Sequence, residues 1–149
     1  MKLKEVIDFK NGKKRPKSKG TIPVYGGNGI LGYTNEFNSD NNSIIIGRVG
    51  AYCGSVYKCD SKCWISDNAI VGKVKDNNDY LYMYYLLKNI NINNYHIGTS
   101  QPLMTQEILN NLDINILNYN EQIKIGTILY TIDNKIELNT QINNNLQAA

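Results

Sequence analysis

Ile22-Pro23-Val24-Tyr25-Gly26-Gly27-Asn28-Gly29-Ile30-Leu31-Gly32 is the stretch on which the reading of this chain turns. Gly27-x-Gly29-x-x-Gly32 follows a β-like run and so spells a dinucleotide-binding turn. That turn works only where a helix opens at the third glycine, so that backbone N–H groups at its N-terminus face a pyrophosphate. Residues 33–42 are instead polar, rich in turn formers and without a helical apolar period. No later strand ends in a suitably placed acid. The cofactor reading fails on context, and the glycines are expected to serve a compact β turn.

Outward from this stretch, β-like runs cover residues 21–25, 43–47, 53–58, 64–65 and 69–74, separated by Gly, Asn and Asp clusters. No long helical pattern intervenes, which argues for irregular, largely antiparallel β structure over βαβ units. Residues 2–9 read as a strand or a single helical turn. Asp79 is placed to cap a helix of about ten residues, with Leu81, Tyr84, Tyr85 and Lys88 at i, i+3, i+4 and i+7. Its tyrosines read as amphipathic core, hydroxyls reaching the rim. Thr105 caps a second, short helix, and residues 113–117 alternate like a short strand.

From about Asn120 the texture changes. Ile125, Ile128, Leu129, Ile132, Ile136, Ile142 and Leu146 recur at steps of three and four, and no proline or glycine interrupts after Gly126. With residues 125, 132, 139 and 146 at heptad position a, residues 128, 135 and 142 take position d. Asn139 and Lys135 weaken this seam, and an Asn at a can fix its register. A helix over residues 120–146 would run ~40 Å at 1.5 Å per residue. An apolar face this narrow and this long is expected to want a partner helix; the alternative is a helix folded back on its own domain.

Size and composition bound the function. A chain of 149 residues is one domain by length, and 42% hydrophobic content suffices for a core. Its net charge of +3 is modest, but Lys10, Lys13, Lys14, Arg15, Lys17 and Lys19 crowd into ten positions with no acid among them. Such a segment attracts phosphate; the alternative is a solvated loop. No signal-like opening and no run near the ~18 apolar residues of a membrane span is present, so a cytoplasmic protein is expected. Cys53, Cys59 and Cys63 are then reduced thiols. Cys59-x-x-x-Cys63 lacks a second ligand pair, and no metal or cofactor is expected. A single His and no Gly-x-Ser-x-Gly argue against a hydrolase triad, and no amino-methyltransferase, nuclease or Walker motif is found.

Five segments in fixed order carry a family resemblance: residues 22–32, Ile46-Gly47-Arg48-Val49-Gly50-Ala51-Tyr52-Cys53-Gly54, Trp64-Ile65-Ser66-Asp67-Asn68-Ala69, Gly98-Thr99-Ser100-Gln101-Pro102, and Asn120-Glu121-Gln122 leading into the long helix. Together they resemble the DNA specificity subunit of type I restriction-modification systems over nearly the whole chain. The chain departs from that pattern in lacking prolines before the long helix. The resemblance implies an α+β fold: a twisted, β-helix-like target-recognition domain over residues 1–118, then a conserved long helix over 119–149 for coiled-coil pairing. It also implies a half-subunit or a piece of a longer chain, with no chemistry of its own. The partners it implies are double-stranded DNA, methyltransferase (modification) subunits, a restriction or motor subunit, and a second copy in a homodimer. A stand-alone protein-interaction module is the competing reading.

On the DNA reading, Lys13, Lys14, Arg15 and Lys17 are candidate phosphate contacts. Asn28, Arg48, Asn68 and Gln101, with Ser100 beside it, carry the hydrogen-bonding groups that base readout needs. Tyr25, Tyr33 and Tyr52 are candidates for packing on sugars or thymine methyls. Arg48 could equally brace neighbouring loops, and Asp67 and Asn68 could simply form Asx turns.

Overall fold

The computed structural model describes residues 1–149. A 3₁₀ turn (Leu3–Glu5) leads into strand β1 (Ile7–Asn11). Then come β2 (Ile22–Gly26), β3 (Gly29–Thr34), β4 (Ser43–Gly47), β5 (Val56–Cys59), β6 (Trp64–Ile65) and β7 (Ala69–Val74). Helices α1 (Tyr80–Asn89), α2 (Gln106–Asn111) and α3 (Tyr119–Ala148) follow, with a 3₁₀ turn at Ile92–Tyr95. The chain is α+β, as the resemblance implies, and its last element is the long helix that its apolar pattern predicts. An antiparallel sheet has the order β1-β7-β4-β5, and a smaller sheet the order β3-β2-β6 with β6 parallel to β2.

The organising strand is β4. Its three isoleucines do not alternate with polar residues, which marks a strand buried on both faces. Ile44 and Ile46 point into the larger core with Leu3, Ile7, Phe9, Ile70, Met83, Leu87 and Leu109. Ile45 points the other way, into a smaller core with Cys59, Cys63, Ile65 and Ala69. Helices α1 and α2 cover the first face, and the small sheet lies on the second.

Three local expectations needed correction. The sequence pattern ends the extended run at the glycine turn, whereas β3 continues to Thr34, paired with β2 from Gly26↔Gly29 to Ile22↔Thr34. Residues 113–117 form no strand. They reach the chain's opening through Leu3 N to Leu112 O and Ile114 N to Met1 O, and the 3₁₀ turn at Leu3 stops the ladder there. The buried face of α1 is Tyr82, Met83, Tyr84 and Leu87, so its phase is rotated from the expected stripe and Lys88 stays outside over the Tyr84 ring. The Tyr85 hydroxyl does reach the rim, donating to Asp133 Oδ2, whereas Tyr80 donates inward to the carbonyl of buried Ser43.

Caps follow the chemistry of the sequence. Asp79 accepts from Tyr82 N at 2.8 Å and Thr105 from Ile108 N at 3.2 Å. Asn118, two residues ahead of the expected start at Asn120, accepts from Glu121 N and donates to Glu121 Oε2, closing the N-terminus of α3 without a proline. At 30 residues α3 is ~45 Å long. Its base packs on α1, where Gln122 and Gly126 are buried; every residue from Thr131 onward is exposed. The root thus folds back on its own domain, and the remainder projects with its apolar residues exposed.

Gln122 is the clamp of that root. Its Oε1 accepts from Asp79 N at 2.8 Å and its Nε2 donates to Leu117 O at 2.8 Å. Gln122→Leu keeps the volume and strands both backbone groups, each costing about 1–3 kcal/mol. Urea denaturation of that variant should show a loss of about 2 kcal/mol or more; a change below about 0.5 kcal/mol, the range of ordinary surface substitutions, would mean that the clamp is not structural.

Candidate nucleic-acid interface

Four Gly-bounded loops, up to 75 positions apart in sequence, meet at one end of the sheets. Arg48, just past β4, is their hub. Its N–H donates to Asn68 O at 2.9 Å, its carbonyl accepts from Met104 N at 2.7 Å, and its Nη1 donates to Asp67 O at 3.0 Å. Gly50 N donates to Pro102 O at 3.1 Å, and Val49 bridges Leu103. Ile97 and Leu103 exchange two backbone bonds at 3.0 and 2.9 Å, which closes the loop carrying Ser100 and Gln101. An open cleft of about 690 Å³ lies between the two segments, lined by Val49, Gly50, Ala51, Ser100, Gln101 and Leu103 among others.

Gly47 makes this convergence possible. A Cβ there would stand 2.6 Å from Gly27 O and would also run into the Tyr52 carbonyl. The turn between β2 and β3 and the loop after β4 therefore cross directly over the end of β4. At that turn Asn28 is exposed, and its Oδ1 accepts from Tyr57 O–H at 2.9 Å, so the side-chain N–H₂ faces outward.

The basic segment starts beside these loops. Gly12 N donates to Ala69 O and Lys13 N to Ile65 O, both at 2.9 Å, while the half-buried Trp64 donates its indole N–H to Lys13 O at 3.2 Å. Lys13, Lys14, Arg15 and Lys17 are exposed. The ion pairs of the chain are Lys2–Asp113, Lys58–Asp60, Lys73–Asp40 and Lys75–Asp8. None uses the basic segment, whose charge is therefore left for solvent or a ligand.

Of the residues singled out from sequence, Asn28, Arg48, Asn68, Ser100 and Gln101 come together in the loop cluster, with Lys13 adjoining it through Ser66. Tyr33 and Tyr52 are more than half exposed on the outer surface. Tyr25 is different. It packs against the smaller core and donates its hydroxyl to Lys58 O at 3.4 Å; burial, with Cys59 beside it, pushes its phenol above the usual range. It is a supporting residue of the small sheet. Sequence reasoning named neither Tyr57, the partner of Asn28, nor the exposed Ile30 and Leu31 as individual residues. Tyr57 carries no local signal, because its role depends on the register of β5 against β4.

The predicted seam of α3 is open. Ile125, Ile128, Ile132, Ile136, Ile142 and Leu146 are exposed, and only Leu129 is half-buried. No helix is long and apolar enough to cross a membrane.

The family model described as type I restriction modification DNA specificity domain matches residues 1–148. The EcoprrI type I restriction enzyme specificity subunit of Escherichia coli is 29% identical over 133 residues, which is 89% of this chain and 33% of that protein. A putative type I restriction enzyme specificity subunit of Haemophilus influenzae is 28% identical over 137 residues, 85% of this chain and 35% of that protein. The chain thus spans about a third of the length of these relatives. In fold it is similar to the S subunit of a type I restriction-modification system from M. genitalium, with TM-score 0.81, 24% identity, and coverage of 92% of this chain and 39% of that one. It is also similar to the HsdS subunit from Thermoanaerobacter tengcongensis, with TM-score 0.67, 18% identity, and coverage of 93% and 38%. With its whole length but one residue matched by the family model, the chain belongs to the type I restriction modification DNA specificity domain family.

Proposed function

We propose that this chain is a sequence-reading part of a type I restriction-modification complex. It recognises a short stretch of duplex DNA and directs methyltransferase and restriction subunits there, and it catalyses nothing itself. The observation that carries this reading is the meeting of four hydrogen-bonding loops beside a cationic segment with no internal counter-charge. Uncompensated lysines and an arginine fit phosphates, which set position and affinity. Exposed amide and guanidinium groups on a rigid loop frame fit base edges. A module that binds only protein would leave those cations without a role.

The second half of the proposal concerns α3. A row of exposed isoleucines on a projecting helix is unstable as a solvated surface and fits a second helix of the same kind. Two copies joined there form a homodimer with two readers held at a fixed separation, and the target is then bipartite and rotationally symmetric. The assembly works in the cytoplasm, where the genome is.

Replacing Lys13, Lys14 and Lys17 with Gln should weaken binding to all duplexes alike. The plot of log K against log salt should flatten by about 0.9 for each phosphate that the variant no longer neutralises. An unchanged slope would remove the segment from the interface. Light scattering of Ile132→Asp/Ile136→Asp should give monomers where the parent is a dimer at micromolar concentration; a monomeric parent would sink symmetric pairing through α3. Co-expression with a methyltransferase subunit, followed by modification-sensitive sequencing of host DNA, should return one bipartite motif with a fixed spacer. Modification without a common motif would refute the reading.

A further inference from the structure

Strand β3 has a feature that the loop cluster does not account for. It is the outer strand of the small sheet, yet two consecutive residues in its middle, Ile30 and Leu31, are exposed. Ile30, Leu31 and Tyr33 are 50%, 48% and 53% exposed, and Gly29–Thr34 carries no charged residue. Edge strands in contact with water alone are normally blunted by lysine, proline or a cover, because a bare apolar edge invites pairing. This one has none of these on its own residues.

The cationic segment lies against that strand. Arg15 rests its guanidinium on the Gly32 backbone, in the place a Cβ would occupy. Ser18 Oγ bonds Thr34 Oγ1 at 2.6 Å, and Gly20 sits within van der Waals reach of Thr34 and Asn35. Residues 15–20 therefore run beside residues 32–35. The nearest acid, Glu36, is engaged by Ser18 Oγ at 2.9 Å. An uncharged apolar edge with cations alongside is complementary to a groove that has apolar groups on its floor and phosphates on its walls.

Resting on the DNA-reading function above, we propose that the margin formed by β2 and β3 enters the major groove of duplex DNA. There Ile30 and Leu31 are specificity-determining residues that contact thymine C5-methyl groups. The major groove is about 12 Å wide and admits a two-stranded β ribbon. Thymine is the base that offers a methyl group there, so an aliphatic side chain distinguishes it without a hydrogen bond. Arg15, Lys17 and Lys19 then lie along the neighbouring phosphates. A partner protein strand added to the β3 edge is the rival occupant, and the test separates the two.

The intact chain is used to enrich a randomised duplex pool, and the bound sequences are read. The unaltered protein should enrich a motif containing one or more thymines whose replacement by deoxyuridine weakens binding about fourfold each, the value of one CH₂ removed from water. Ile30→Ser/Leu31→Ser, with its thermal unfolding checked against the parent, should lose preference at those positions only. It should keep the rest of the motif, the affinity for random duplex and the salt dependence, and it should no longer respond to deoxyuridine. Enrichment of the parent motif by the variant, with its thymine preference intact, would overturn the proposal. So would a variant whose only change is reduced self-association in light scattering, since that points to strand pairing with protein. If the unaltered chain enriches no motif yet binds duplex, sequence reading as a whole falls, and the role given to β3 falls with it.

Discussion

The double-sided burial of β4 is the constraint on which the rest of the molecule depends. A strand with Ile44 and Ile46 on one face and Ile45 on the other must be covered twice, and the two covers have different jobs. Helices α1 and α2 form one cover, and α1 with its cap holds the root of α3 through Gln122 and Tyr85. The small sheet forms the other and carries the glycine turn. Each fully buried isoleucine contributes about 1.5–3 kcal/mol of transfer free energy, so one short run of sequence ties the projecting helix to the loop end. At the far end of that strand Gly47 lets two loops cross its backbone. The position of the loop cluster relative to α3 is therefore set by packing and not by a linker.

That coupling fixes where α3 points. A helix that is exposed from Thr131 onward contributes little to the stability of its own fold. Its direction is nevertheless defined by the bonds of Gln122 to Asp79 and Leu117, by Tyr85 with Asp133, and by Lys58 over the Tyr130 ring. Asp79 serves twice, capping α1 through its carboxylate and anchoring α3 through its backbone N–H. A rod fixed at its base by contacts on two sides transmits a defined distance; one attached by a flexible turn would not.

What could be read from the sequence was what is decided locally. Strands β4, β6 and β7 fall on the expected residues because β-branched runs bounded by turn formers need no distant information. The caps Asp79 and Thr105 were legible for the same reason. Tertiary register was not. The phase of α1 is chosen by the core, which selects Met83 and Leu87 over the amphipathic stripe the spacing suggested. The length of β3 depends on β2 accepting it as a partner through a register shift near Val24 and Tyr25. Tyr25 was expected at the end of a β-like run as a candidate for packing on sugars or thymine methyls, and only the position of Cys59 and Lys58 beneath it turns it inward. The pairing of Asn28 with Tyr57 is likewise a product of two strands brought together from residues 29 positions apart.

The loop cluster divides into groups that are already committed and groups that are free. Arg48 uses its backbone N–H, its carbonyl and one guanidinium nitrogen on neighbouring loops, so it acts first as the brace that holds Asn68 and the segment 102–104 in place. A guanidinium has five donors, and the remainder can face a ligand only because the frame is rigid. Asn28 is the converse. Its acceptor is taken by Tyr57, which fixes the amide plane and leaves the two N–H donors pointing out. An oriented donor loses less freedom on binding than a mobile one, and side-chain ordering otherwise costs about 0.5–1.5 kcal/mol per group. Glycine-rich loops would be poor readers if they were loose. Here they are fastened to each other by backbone bonds, so the geometry of the cluster is set before any ligand arrives.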